Sequence, residues 1–415
     1  MKISILNFSD CEGGASRAAY RLHQGLRKLG LHSLMRVQSK ESDDDSVIGP
    51  QGKIDKGIAM LRPHLDLVPG YFYKHRQLNL WSPAWQPKSN RRSLNQQGSD
   101  VHHVHWICRG FIPVTMLSKI SGPLVWTLHD SWAFTGGCHV PLDCTRYQEA
   151  CGRCPQLGST RNHDLSYWVW QRKSKYWRNL NLTIVSPSRW LADCARSSSL
   201  FRNRRIEVIP NGLDLSLFRP LDRGWARDLL GLPQEQTLIL SGALGVSRDP
   251  HKGLRYLQEA LKILAAQGWH EKASLIIVGS SVPKEPVDTG LKSLYIGTFH
   301  DEISMALLYA AADVLVAPYV QDNLSNVVME ALACGIPVVA FDVGGMSDMV
   351  DHLQVGYLAQ PFDVADLARG LEWVLADPER CKALGRAARS KAEKEYEISY
   401  IANRYAALYR SVLLR

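Results

Sequence analysis

Two acids, Asp322 and Glu330, stand eight positions apart near the middle of the chain's second half. Residues 327–334 are apolar except for Glu330. Their length and Ala/Leu/Met content predict a helix buried all round, so its carboxylate needs hydrogen-bond donors. Asn326, one turn earlier, offers only an amide. A vicinal diol would donate two hydroxyls to the two carboxylate oxygens. The start of the same helix, at Ser325, Asn326 and Val327, presents free N–H groups suited to a phosphate. On helical spacing the two acids lie roughly 10 Å apart, enough to bracket a pyrophosphate between a ribose and a sugar. The plainer alternative is a structural acid paired with an arginine elsewhere.

Lys252 follows Arg248 and His251 and precedes Gly253, just before an apolar-periodic helix at 254–266. A lysine at a helix N-terminus opposes the helix dipole unless an anion is bound. A pyrophosphate would supply that anion; otherwise Lys252 is a solvated loop residue. His129-Asp130 ends an apolar run at 124–128. Ligands sit at the C-terminal ends of strands in open parallel sheets, which makes His129 a candidate, with His105 a second one. A structural histidine is the alternative. Cys138, Cys144, Cys151 and Cys154 follow a C-x5-C-x6-C-x2-C spacing. In a reduced protein that predicts a structural zinc held by thiolates, with disulfides or free thiols as alternatives.

The elements that must hold these residues alternate β and α. Short apolar runs predict strands at 2–8, 32–37, 101–106, 124–128, 182–186 and 206–209. After residue 212 they recur at 237–241, 275–278, 294–296, 314–317 and 338–341. Helical patterns lie between them, at 15–29, 165–179, 254–266, 301–312, 364–376, 378–394 and 398–414. The class is α/β: two Rossmann-like domains, each on a parallel sheet, facing across a cleft. Gly13-Gly14 falls in a predicted loop at 9–14, where backbone can approach a ligand. Residues 40–98 show no clear period. Basic residues there alternate with apolar ones, including Trp81, Trp85, Arg91 and Arg92, and suit a membrane surface, an acceptor groove or an irregular insertion.

At 415 residues the chain has room for two cores. No apolar run is long enough to span a membrane, and the first ten residues do not form a signal peptide. A cytoplasmic location is expected, with nine cysteines mostly reduced. The net charge of +9 is uneven. Residues 1–210 carry 29 Lys and Arg against 15 Asp and Glu, and residues 211–415 carry 20 against 25. A basic first half suits an anionic partner such as membrane lipid. No nucleic-acid motif accompanies it, and nucleic acid is not an expected partner.

The Asp322-x7-Glu330 pattern in its strand–loop–helix setting resembles the E-x7-E motif of the retaining glycosyltransferases of family four, which have the GT-B fold. The resemblance covers nearly the whole chain. It implies that Glu330 holds the donor ribose and Asp322 contacts the transferred sugar, although Asp322 stands where the family usually has Glu. It further implies that Gly13-Gly14 lies beside the donor phosphates, that His129 contacts the sugar, and that the base rests near Gly297-Thr298-Phe299. The family pairs a lysine like Lys252 with an arginine a few residues earlier; Arg248 is off that spacing. Pro210-Asn211-Gly212 and Asp214 resemble the crossover between domains. The cysteine block resembles an insertion in a polysaccharide-synthesis branch of the family, of the colanic-acid type.

The resulting expectation is an acceptor-side domain at 1–211 with a Cys-rich insertion at 134–160. A nucleotide-sugar-binding domain follows at 212–395, and a helix at 396–415 crosses back. The expected activity is retaining transfer of a hexose from a UDP- or GDP-sugar to a saccharide or lipid-linked saccharide in cell-surface polysaccharide biosynthesis. No Asp-x-Asp motif is placed to hold a divalent ion, so catalysis without metal is expected, on the inner face of the membrane. A nucleotide-sugar epimerase and a non-catalytic sugar-nucleotide sensor remain as alternatives. A hydride-transferring enzyme is disfavoured, because no G-x-G-x-x-G follows the first strand.

Overall fold

The computed structural model of the protein describes residues 1–77, 79–86, 98–241, 250–278, 288–299 and 301–414. The chain divides into two compact units: residues 1–212 with 398–415, and residues 213–397.

The first unit is built on seven parallel strands. These are β1 (Lys2–Leu6), β2 (His32–Arg36), β3 (Val47–Ile48), β4 (Val101–Val104), β5 (Leu124–Thr127), β6 (Leu182–Ser186) and β7 (Arg205–Val208). Their order is β3-β2-β1-β4-β5-β6-β7. β4, β5 and β6 are buried at every position, as expected where helices cover both faces of a parallel sheet. One cover is α1 (Gly13–Lys28) with the closing helix Ile398–Leu413. Leu22 and Leu26 of α1 share a core with Ile401, Tyr405 and Tyr409.

Gly13 and Gly14 lie inside the first turn of α1, not in the loop expected at 9–14. The reason is local. The Ser9 hydroxyl accepts from the backbone N–H of Cys11 and of Glu12, at 3.1 and 3.0 Å, so the turn is complete by residue 12. Residues 40–98, unreadable by period, contain α2 (Gly52–Leu67) and a 3-10 turn, Val68–Phe72.

The second unit has six parallel strands: β8 (Thr237–Ser241), β9 (Ala273–Val278), β10 (Lys292–Gly297), β11 (Val314–Ala317), β12 (Val338–Phe341) and β13 (Gly356–Ala359). Their order is β10-β9-β8-β11-β12-β13. Helices α3 (Leu254–Leu264), α4 (Glu302–Ala311) and α5 (Asn326–Ala333) belong to this unit. α5 ends at Gly335, which has a positive φ of 75° and suits a helix stop. The strand order of each sheet reverses beside its first strand, at β1/β4 and at β8/β11. Such switch points open a crevice at the strands' C-terminal ends. Among the described residues, no helix is long and apolar enough to cross a membrane.

Candidate active site

In the second unit the segment after β11 runs through Tyr319 and Asp322 into α5, at the switch point beside β8. The Ser325 hydroxyl caps α5 by accepting from Val328 N–H at 3.4 Å. The 3-10 turn Pro250–Lys252 docks on this segment, with Val320 N–H donating to the His251 carbonyl at 2.9 Å. Gly253 makes that approach possible. It has φ 70°, and a Cβ there would lie 1.8 Å from the Pro318 carbonyl oxygen. As a result Lys252 Nζ lies 3.6 Å from Asp322 Oδ2 and 4.5 Å from the centre of the Tyr319 ring. From the other side, Gly345 N–H donates to the Asp322 carbonyl at 2.9 Å.

Glu330 is 1% exposed. Its Oε2 accepts from the Tyr309 hydroxyl of α4 at 2.9 Å. Burial, with Glu330 beside it, pushes the Tyr309 pKa well up, so this hydroxyl remains a donor. The polypeptide thus supplies a donor to the acid, and that donor is the Tyr309 hydroxyl. Asn326 opens α5 and Val327 packs partly on the core. The structure therefore brings Lys252, Asp322, Ser325, Asn326 and Val327 to the N-terminal end of α5, with Glu330 one turn further along the helix. Thr298 is exposed just past β10, the edge strand of this sheet. Arg248 and the glycine loop at 242–245 lie outside the described residues.

In the first unit His129 follows β5. Its Nε2 lies 2.9 Å from His105 Nδ1, and the two rings stack with centres 5.2 Å apart. Burial lowers the His129 pKa to about 4, against the pull of Asp130. The ring is neutral near pH 7 and can both donate and accept. Asp130 is held by three donors: Trp106 Nε1 at 2.7 Å, Trp132 N–H at 2.8 Å and His139 Nδ1 at 2.6 Å. Burial raises its pKa and these partners outweigh it, so the net shift is downward. Gly13 and Gly14 belong to the loop–helix junction after β1, beside β4 in the sheet. Reasoning on sequence missed Tyr309, Tyr319 and His139, whose partners are remote in the chain.

The cysteine reading needs correction. Cys138, Cys144, Cys151 and Cys154 are free thiols. Among the described residues, no group of three or more His, Cys, Asp or Glu is placed to hold a metal ion. Packing explains this. Cys154 lies in an apolar cluster with Trp81, Leu157 and Val169, and Cys138 packs against it. The Cys151 sulfur accepts from Gly136 N–H at 3.1 Å. Burial pushes the Cys138 and Cys154 pKa values up and that of Cys151 to about 12, with the other cysteines of the block adding to each shift.

Two family models match the chain: "Glycosyltransferase Family 4" over residues 12–217 and "Glycosyl transferases group 1" over residues 235–377. A D-inositol 3-phosphate glycosyltransferase of Rhodococcus opacus is 30% identical over 296 residues, 66% of this chain and 61% of its own length. The sulfoquinovosyl transferase SQD2 of Arabidopsis thaliana is 30% identical over 52% of this chain and 42% of its own. The chain thus spans about half the length of the curated relatives it matches. Among solved structures, the sucrose-phosphate synthase of Thermosynechococcus elongatus has a TM-score of 0.69 at 20% identity, covering 100% of this chain and 99% of that one. Anabaena HepE, solved in complex with UDP-glucose, has a TM-score of 0.65 at 17% identity, covering 99% and 100%. These likenesses show the GT-B fold. The two models match in turn along the chain, a glycosyltransferase family 4 domain over residues 12–217 and a group 1 glycosyl transferase domain over residues 235–377.

Proposed function

We propose that this protein is a glycosyltransferase that takes a hexose from a nucleotide diphosphate sugar, with retention and without a catalytic metal. The acceptor is a saccharide or a lipid-linked saccharide, in cell-surface polysaccharide biosynthesis. The observation that carries the reading is the pairing of Lys252 with Asp322 just before α5, the helix that carries the buried Glu330. The backbone N–H groups of the first turn of α5 and the Lys252 ammonium would receive the diphosphate and stabilise it as the leaving group. Glu330 would take the ribose hydroxyls, and Asp322 would contact the hexose. His129 is the proposed contact to the transferred sugar in the first unit. HepE is described in complex with UDP and with UDP-glucose, which is in keeping with a nucleotide diphosphate sugar donor, a UDP- or a GDP-sugar, here.

The test is thermal stabilisation of the purified protein by a panel of UDP- and GDP-sugars, followed by NMR of the product anomer. Stabilisation by one of the nucleotide sugars and transfer with retained configuration are expected. Absence of stabilisation by every member would overturn the reading.

A further inference from the structure

We propose that the outer face of α2 and the 3-10 turn Val68–Phe72 docks on the surface of an anionic lipid bilayer. α2 is an unusual surface helix, because its one buried residue is Asp66. Its apolar residues point outward instead. Ile54 is 80% exposed and Leu61 60%, and Phe72 in the following turn reaches 83%. Ile58, Leu65 and Tyr71 are exposed as well. Ile54, Ile58, Leu61 and Leu65 follow the i, i+4, i+7, i+11 spacing of one helical face. A contiguous apolar surface of this kind on a folded unit marks an interaction site.

The inner side of α2 is already occupied, which fixes the side that faces out. Arg62 Nε donates to the Gly110 carbonyl at 2.7 Å, and Gln38 Nε2 donates to the Ala59 carbonyl at 3.2 Å. Trp85 Nε1 donates to the Leu65 carbonyl at 3.1 Å. Ala59 and Pro63 line one wall of an 880 Å³ cavity with Gln38 and Arg109. These contacts hold the helix through the Arg62 side chain and the Ala59 and Leu65 carbonyls, and leave Ile54, Ile58, Leu61 and Leu65 exposed.

Charge selects the occupant. Lys53 and Lys74 are exposed beside the apolar residues, Lys56 is exposed on the cavity side of α2, and the Arg76 guanidinium lies 4.5 Å from the centre of the Tyr71 ring. Between residues 52 and 77 the acids are Asp55 and the buried Asp66, against five Lys and Arg. An apolar face flanked by lysines, with aromatic side chains at its end, has the chemistry of a helix lying in a headgroup layer. At 16 residues α2 is about 24 Å long, suited to lying along the interface. This inference does not depend on the transfer reaction, and its failure would leave the proposed function standing.

The experiment is sedimentation of the full chain with vesicles of phosphatidylcholine alone and of phosphatidylcholine with phosphatidylglycerol. Binding to the anionic vesicles, reduced by salt, is expected. The combined variant Ile54→Glu, Leu61→Glu, Phe72→Glu should bind at least about tenfold more weakly, as should Lys53→Glu, Lys56→Glu, Lys74→Glu. All six positions are exposed, so both variants should keep the parent circular dichroism and melting temperature. Lack of binding to anionic vesicles, or equal binding by either variant, would overturn the proposal. So would a lipid-free dimer that the apolar variant converts to monomer, because the face would then be covered by a second copy.

Discussion

Lys252 Nζ stands 3.6 Å from Asp322 Oδ2, on a lysine and an aspartate that are both only partly exposed. Asp322 shares the lysine's charge and holds its ammonium toward the start of α5. For Lys252→Ala we expect UDP to bind about tenfold more weakly, a loss near 1.4 kcal/mol, typical of one charge-assisted contact. Uridine, which lacks the diphosphate, should bind unchanged. Calorimetric titration of both ligands checks this. An equal loss for uridine would place Lys252 away from the phosphates.

Glu330 and Tyr309 form the second pair, joined by a 2.9 Å hydrogen bond inside the core. Tyr309→Phe removes one donor from a buried carboxylate, which should cost about 1–3 kcal/mol of stability. If donor ribose hydroxyls also reach Glu330, UDP should recover part of that loss. The melting-temperature rise on adding UDP should then be larger in Tyr309→Phe than in the parent. Glu330→Ala should abolish turnover and weaken nucleotide binding. Parent-like kinetics in that variant would remove Glu330 from the site.

These two pairs show where legibility in sequence ends. β11, α5 and β12 were readable because apolar runs there are bounded by Gly335 and Pro337, and burial follows from composition. The two acids and Lys252 could be named because a charged group in such surroundings needs a partner. The partners Tyr309 and Tyr319 could not, since aromatic residues in apolar runs signal only burial. α2 escaped because it turns its apolar residues away from the core, so no core-facing period exists to detect. β3 has only two residues, and β13 opens on Gly356, which interrupts any apolar run there. The cysteine spacing was legible only as loop length, because the packing of Cys138 and Cys154 with Trp81 joins segments remote in the chain.

The buried histidines make the first unit sensitive to acid. His23 bonds Ser33 and Ser46 at 2.8 Å each, and His103 bonds Thr127 at 2.8 Å and Tyr409 at 2.7 Å. Burial lowers their pKa values to about 4 and about 3. The fold therefore favours the neutral rings, and their stabilisation is complete above the unfolded value near 6.5. It is lost as pH falls from 6.5 toward 4, by about 2 kcal/mol for each at pH 5. Asp66 acts in the opposite sense: burial raises its pKa to about 6, so its cost is relieved as pH falls from 6 toward 4. Denaturant midpoints at pH 7 and pH 5 should show net loss at pH 5. His103→Asn should shrink the difference by about 2 kcal/mol, and Asp66→Asn should widen it. An unchanged difference in both variants would refute this account.

Gly253 offers a test of site geometry that leaves every charged residue in place. Its φ of 70° already disfavours a side chain, and a Cβ would lie 1.8 Å from the Pro318 carbonyl oxygen. That oxygen belongs to backbone at the end of β11, which the sheet holds through the β8 and β12 pairings. The turn Pro250–Lys252 is the side that must move. In Gly253→Ala the Val320–His251 hydrogen bond should break and Lys252 should leave Asp322. UDP affinity should fall by about as much as in Lys252→Ala, roughly tenfold. Because the two changes act through one group, the double variant should be no weaker than either single one. Additive losses would show that Gly253 acts on the fold at large instead of through the placement of Lys252.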